Sequence, residues 1–136
     1  QALPEEWYGF AEQLAAGFAE IDPRARLKWA GPAMSARSSL TARQMETWAH
    51  GQAAFDALGV TRVNTDRIRN IVQLGVNTFA WTFRVHGLPL PKAMPHLVLV
   101  SPSGETWSWG EPDPDNVITG SAEACCQAVT SSVSDT

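Results

Sequence analysis

Apolar residues recur at helical spacing along the first stretch of the chain. Trp7, Phe10, Leu14, Phe18 and Ile21 fall on one stripe, while Glu5, Glu6, Glu12 and Gln13 lie mostly off it. This period predicts an amphipathic helix that Pro4 can open and that Asp22-Pro23 closes, because the residue before a proline resists the helical region. A connection rich in Pro, Gly and Ser follows over about residues 29–39. A second helix is expected from a cap at Ser38 or Ser39 to Leu58, with Gly59 as a left-handed stop. Its apolar side carries Met45, Trp48, Ala49, Gln52 and Phe55. Thr65 can cap a third helix with Ile68, Val72, Val76, Phe79 and Phe83 on one stripe, closed by His86-Gly87. Arg67 and Arg69 open this helix at the positive end of its dipole, which does not suit them, so they are expected to reach outward or to meet an acid.

After the Pro-rich link at 89–95 the period falls to two. Residues 97–101 and 105–109 read as two strands joined by the hairpin turn Pro102-Ser103-Gly104. In the second strand Glu105, Trp107 and Trp109 share one face, and Thr106 and Ser108 share the other. A loop at 111–115, a last helix capped by Ser121 and ending near Val129, and a polar tail at 131–136 complete the pattern. The order helix, helix, helix, hairpin, helix is α+β, with a seam near 59–64 and no internal repeat. The apolar stripes of the first two helices need more than each other. Such stripes belong to bundles of three or four helices, so the third helix, a second copy or a further segment is expected to cover them.

Composition narrows the function. The chain has 136 residues, 44% of them hydrophobic, a net charge of −4 and two cysteines. It is long enough for a globular core and has no apolar run near the ~20 residues of a membrane span. Basic residues cluster only loosely, at Arg62, Arg67 and Arg69, which argues against nucleic acid and anionic membranes as partners. Cys125 and Cys126 are adjacent and have no other cysteine to pair with, which fits a reducing cytoplasm and packed core thiols. The chain opens with Gln1 and no apolar leader, so a processed, trimmed or proteolysed start is expected.

Glu46 and His50 are the residues most suited to chemistry. Four apart, they stand one above the other on a helical face, along the stripe Arg43, Glu46, His50, Ala53 and Ala57. A carboxylate and an imidazole so placed can ligate one divalent ion such as zinc or nickel, though a tight site needs at least one more ligand. The plain alternative is a Glu–His hydrogen bond on a helix surface. Arg43, one turn earlier, can hold an anionic substrate or form a salt bridge. His86 and His96 lack spaced partners and read as a helix-end and a strand-start histidine. Trp48 reads as core, and Trp107 and Trp109 as a sheet face covered by a helix. No phosphate loop, nucleophile elbow or paired-carboxylate motif is present.

The runs Ala33-Met34-Ser35-Ala36 and Thr41-Ala42-Arg43-Gln44-Met45-Glu46-Thr47-Trp48-Ala49-His50-Gly51-Gln52 resemble an actinobacterial family of DinB-like proteins related to mycothiol-dependent maleylpyruvate isomerase. Thr65-Asp66-Arg67-Ile68-Arg69, Leu74-Gly75-Val76 and Trp107-Ser108-Trp109-Gly110 extend the resemblance over most of the chain. It implies part of a DinB-like four-helix bundle over residues 1–60, followed over 61–136 by a small, incomplete α+β domain of helix, β-hairpin and helix. It also implies a divalent-metal-dependent, mycothiol-linked isomerase or transferase acting on a small electrophilic molecule. In the family's metal site an early helix supplies a histidine and the last bundle helix supplies a Glu and a His four apart. Glu46 and His50 match the latter pair. The resemblance places the start of the chain near the third bundle helix, so the early histidine is expected from elsewhere, such as a second fragment or a homodimer partner. The family's Asp three residues after the His is Ala53 here. A non-catalytic metal- or ligand-binding scaffold with a degenerate site is the competing expectation.

Overall fold

The structure is a computed structural model that describes residues 2–29 and 33–130. The expectations for Gln1, for part of the 29–39 connection and for the 131–136 tail lie outside the described residues. The chain divides into two compact units, Gln1–Arg43 and Gln44–Thr136.

In the first unit, α1 spans Leu3–Glu20, with a proline in its first turn and Glu5 and Glu6 complementing the positive end of the dipole. Ile21 is extended, and Asp22 turns the chain by accepting the Arg24 N–H on its Oδ1 at 2.9 Å. Two short strands follow that the apolar pattern does not predict, β1 (Arg26–Leu27) and β2 (Met34–Ser35), paired antiparallel. Helix α2 spans Ala36–Leu58, starting two residues before the expected Ser38. The cap is Ser35, which ends β2 and whose Oγ accepts the Ser38 N–H at 3.1 Å. The N–H groups of Ala36 and Arg37 donate to the carbonyls of Ala25 and Pro23 at 2.8 and 3.0 Å. These bonds leave little of the helix start unsatisfied.

The second unit holds the rest of α2, then α3 (Arg69–Val85), β3 (His96–Val100), β4 (Thr106–Trp109), β5 (Val117–Ser121) and α4 (Ala122–Thr130). Helix α2 stops at Gly59, whose φ of +63° lets Val60 N–H reach back to Phe55 O at 3.0 Å. A 3-10 turn, Asp66–Ile68, precedes α3, and Thr65 makes no side-chain cap there. Asp66 instead accepts from the Ser103 N–H and Oγ at 3.1 and 2.8 Å, which ties the hairpin turn to the start of α3.

The hairpin β3–β4 forms as the period of two predicts, with Leu99 opposite Trp107. Strand β5 is an addition. It lies parallel to β3 on the other side, giving the order β4-β3-β5. Helices α3 and α4 cover the sheet face that carries Leu99 and Trp107. The core joins Trp48, Ile68, Ile71, Val72, Leu99, Trp107, Ala122 and Cys126, all buried. Each large side chain among them contributes about 1.5–3 kcal/mol by leaving water. Ser121 caps α4 as expected, accepting the Ala124 N–H at 3.1 Å. The architecture is therefore α+β, and no helix among the described residues is long and apolar enough to cross a membrane.

Candidate functional site

The two faces of α2 divide as the sequence predicts. Trp48 is buried and Met45, Ala49, Gln52 and Phe55 are half-buried, whereas Arg43, Glu46, His50, Ala53 and Ala57 are exposed. Glu46 and His50 meet on the open face, with His50 Nε2 3.0 Å from Glu46 Oε2. Their side chains are 59% and 83% exposed, so an ion or a partner could reach both donor atoms without displacing packed groups. Metal–ligand bonds of about 2.0–2.1 Å put neighbouring ligand atoms roughly 3 Å apart. The contact is the surface Glu–His hydrogen bond of the plain alternative, and an imidazole nitrogen and a carboxylate oxygen are also donor types that a divalent ion accepts. Among the described residues no group of three or more His, Cys, Asp or Glu side chains could complete such a site.

Among the described residues none of the other candidates bonds to this pair. Arg43 is exposed and makes no ion pair among the described residues. His86 ends α3, its Nδ1 2.9 Å from Thr82 O, and His96 opens β3, its Nε2 2.8 Å from Ser108 Oγ. Cys126 is fully buried, and desolvation, followed by the neighbouring Cys125, pushes its thiol up to about 12. Burial raises Cys125 as well. Neither thiol is primed as a nucleophile or a ligand, since both chemistries need the thiolate.

Behind the exposed pair, α2 is fastened by residues that its own pattern does not flag. The Trp48 indole N–H donates to Asn64 Oδ1 at 2.8 Å, and Asn64 Nδ2 donates to Glu123 Oε1 on α4 at 3.1 Å. Arg62 lies over the Trp48 and Phe55 rings, 5.1 and 5.3 Å from their centroids, and donates to Trp48 O at 2.7 Å. Arg69 has an aromatic rather than an acidic neighbour, stacking over Trp107 and Trp109 at 5.4 and 5.7 Å. The only sequence signal for these contacts is polar or basic residues beside aromatics far away in the chain. An apolar cavity of about 350 Å³ lies between α3, α4 and the sheet, lined by Val72, Val76, Phe79, Leu97, Ile118 and Cys125 among others.

Comparison with known proteins finds sequence similarity to curated relatives and to a protein family. Two curated relatives, from two strains of Mycobacterium tuberculosis, are 55% identical over 106 residues, 77% of this chain and 41% of their own length. Both are described only as uncharacterized proteins. The chain thus spans about two fifths of the curated relatives it matches. No solved structure matches. Residues 1–55, which include Glu46 and His50, match the family described as the mycothiol maleylpyruvate isomerase N-terminal domain. The similarity to that family is confined to residues 1–55 and takes in the Met-Glu-Thr-Trp-Ala-His-Gly-Gln run.

Proposed function

We propose that Glu46 and His50 supply two ligands of a divalent metal, zinc or nickel, in a mycothiol-linked isomerase or transferase that acts on a small electrophilic molecule. The observation that supports this most is the 3.0 Å approach of an exposed imidazole and carboxylate within the family-matched residues. When bound, such an ion supplies Lewis acidity and lowers the pKa of a thiol or water ligand. The chain's own residues hold and orient. Trp48, clamped by Asn64 and Arg62, fixes the rotation of α2 in the turns that carry the pair. Arg43 can attract an anionic substrate along the same stripe.

In this reading residues 1–60 form the later half of a DinB-like four-helix bundle and 61–136 a small α+β domain. The remaining ligand and the cover for the α1 stripe come from further polypeptide or from a second copy. A cytoplasmic location fits the unpaired cysteines.

A second reading keeps the fold and loses the chemistry. Ala53 stands where the family's acidic group is expected, and the described residues offer no third ligand. The protein is then a binding or scaffold module. Metal analysis of the full-length protein, alongside Glu46→Ala and His50→Ala, separates the two. Stoichiometric metal that both variants lose supports the enzyme reading, and a metal-free full-length protein overturns it.

A further inference from the structure

Charge is segregated within the first unit. Helix α1 carries Glu5, Glu6, Glu12 and Glu20 and no base, whereas residues 22–43 carry Arg24, Arg26, Lys28, Arg37 and Arg43 against Asp22 alone. The fold gathers three of these cations. Arg24, Arg26 and Arg37 line one cleft of about 330 Å³ with Asp22, Pro23 and Ser35. No guanidinium in the cleft pairs with a carboxylate among the described residues. The Asp22 carboxylate accepts a backbone N–H, that of Arg24, and Arg26 Nη2 donates to Ala33 O. The guanidinium groups of Arg24 and Arg37 have no protein partner among the described residues.

The cleft also lies at the start of α2, a helix of 23 residues with no acid in its first turn. A helix start carries a partial positive charge, which acids ordinarily answer. Here Arg37 adds to that charge instead. Three guanidinium groups countered by one carboxylate repel one another until an anion enters, the first N–H groups of the helix being already taken by Ser35, Ala25 and Pro23. Guanidinium forks match the geometry of carboxylate and phosphate oxygens.

We propose that this cleft binds a small oxyanion, the phosphate or carboxylate group of a small molecule, through Arg24, Arg26 and Arg37. The residues lining the cleft all belong to the first unit and include neither Glu46 nor His50, and the site does not depend on a metal.

Isothermal titration of chelator-treated, full-length protein with inorganic phosphate and with malonate, at low ionic strength, tests the proposal. Saturable binding of at least one anion is expected, weakened about tenfold in both Arg24→Gln and Arg37→Gln and unchanged in Arg84→Gln. Neither of the first two guanidiniums holds the fold together, so those variants should remain folded, which their circular dichroism checks. Tighter binding of phosphate identifies a phosphate-bearing ligand, and tighter binding of malonate a carboxylate. The proposal is overturned if neither anion saturates, or if affinity is unchanged in both variants. It is equally overturned if long duplex DNA binds a hundredfold tighter than either anion, since the patch would then serve an extended polyanion.

Discussion

Helices α1 and α3 are nearly equal in length, 18 and 17 residues, and both carry an apolar stripe of helical period. Their fates differ. Helix α3 buries Ile71 and Val72 against the sheet and α4, whereas α1 has no buried residue and leaves Trp7 and Phe10 67% and 62% exposed. Periodicity therefore shows that a helix has a side to bury but not what it is buried against. In α3 the partner arrives within the next fifty residues. In α1 it does not arrive among the described residues.

The largest test of this contrast is a pair of truncations. Ile71→Ala should cost about 2–5 kcal/mol in urea unfolding, since Ile71 is fully enclosed. In the same chain Phe10→Ala should cost no more than about 0.5 kcal/mol, the range of surface substitutions. Equal costs would mean that the α1 stripe is covered, and the contrast would fail.

Polar fastening should matter next. Asn64→Ala removes the acceptor of the buried Trp48 indole and a donor to Glu123, and should cost about 1–3 kcal/mol. An effect as small as that of Phe10→Ala would show that packing alone sets the rotation of α2.

The second unit should also lose stability in alkali where the first has no thiol to titrate. The Cys126 pKa is raised from 9.0 to about 12 in the folded state, so folding favours the neutral thiol. That contribution is complete below pH 9 and is lost as pH rises through the folded value of about 12. The difference between the parent and Cys126→Ala, followed by unfolding from pH 8 upward, should shrink over that window. A constant difference would remove the thiol from the account.

The smallest effect should come from Glu46→Ala and His50→Ala. An exposed pair four apart on a helix is worth about 0.2–0.5 kcal/mol. Loss of metal with little loss of stability would mark a pair kept for binding. Destabilisation on the scale of Ile71→Ala would make it a structural contact.

Legibility in the sequence follows the range of the forces. Helices α1 to α4, the hairpin and the division of α2 into a packed and an open face depend on neighbours within a few residues, and residue types disclose them. Strand β5 does not, because 117–121 is a short run ending in Gly120-Ser121 whose partner β3 lies twenty residues back. The start of α2 is set by Ser35 closing a two-residue strand, a pairing too short to leave a periodic trace. The stacking of Arg69 on Trp107 and Trp109 likewise depends on the folded sheet. Within the candidate site, spacing discloses that Glu46 and His50 meet. The fastening by Asn64, Arg62 and Glu123 is long-range, and no local pattern announces it.

The clamp on Trp48 has an optical consequence. Of the six tryptophans, Trp7, Trp29 and Trp81 are open to solvent, while Trp48 and Trp107 are buried and Trp109 is half-covered. Iodide in solution quenches the first three and leaves a blue-shifted residue of emission from the others, all of which lie in the second unit. Within that residue the Trp48 indole, with its N–H bonded to Asn64 and its face against Arg62, changes colour if either partner lets go. The protein thus carries a built-in lamp on the buried side of the same helical turn whose outer side displays Glu46 and His50.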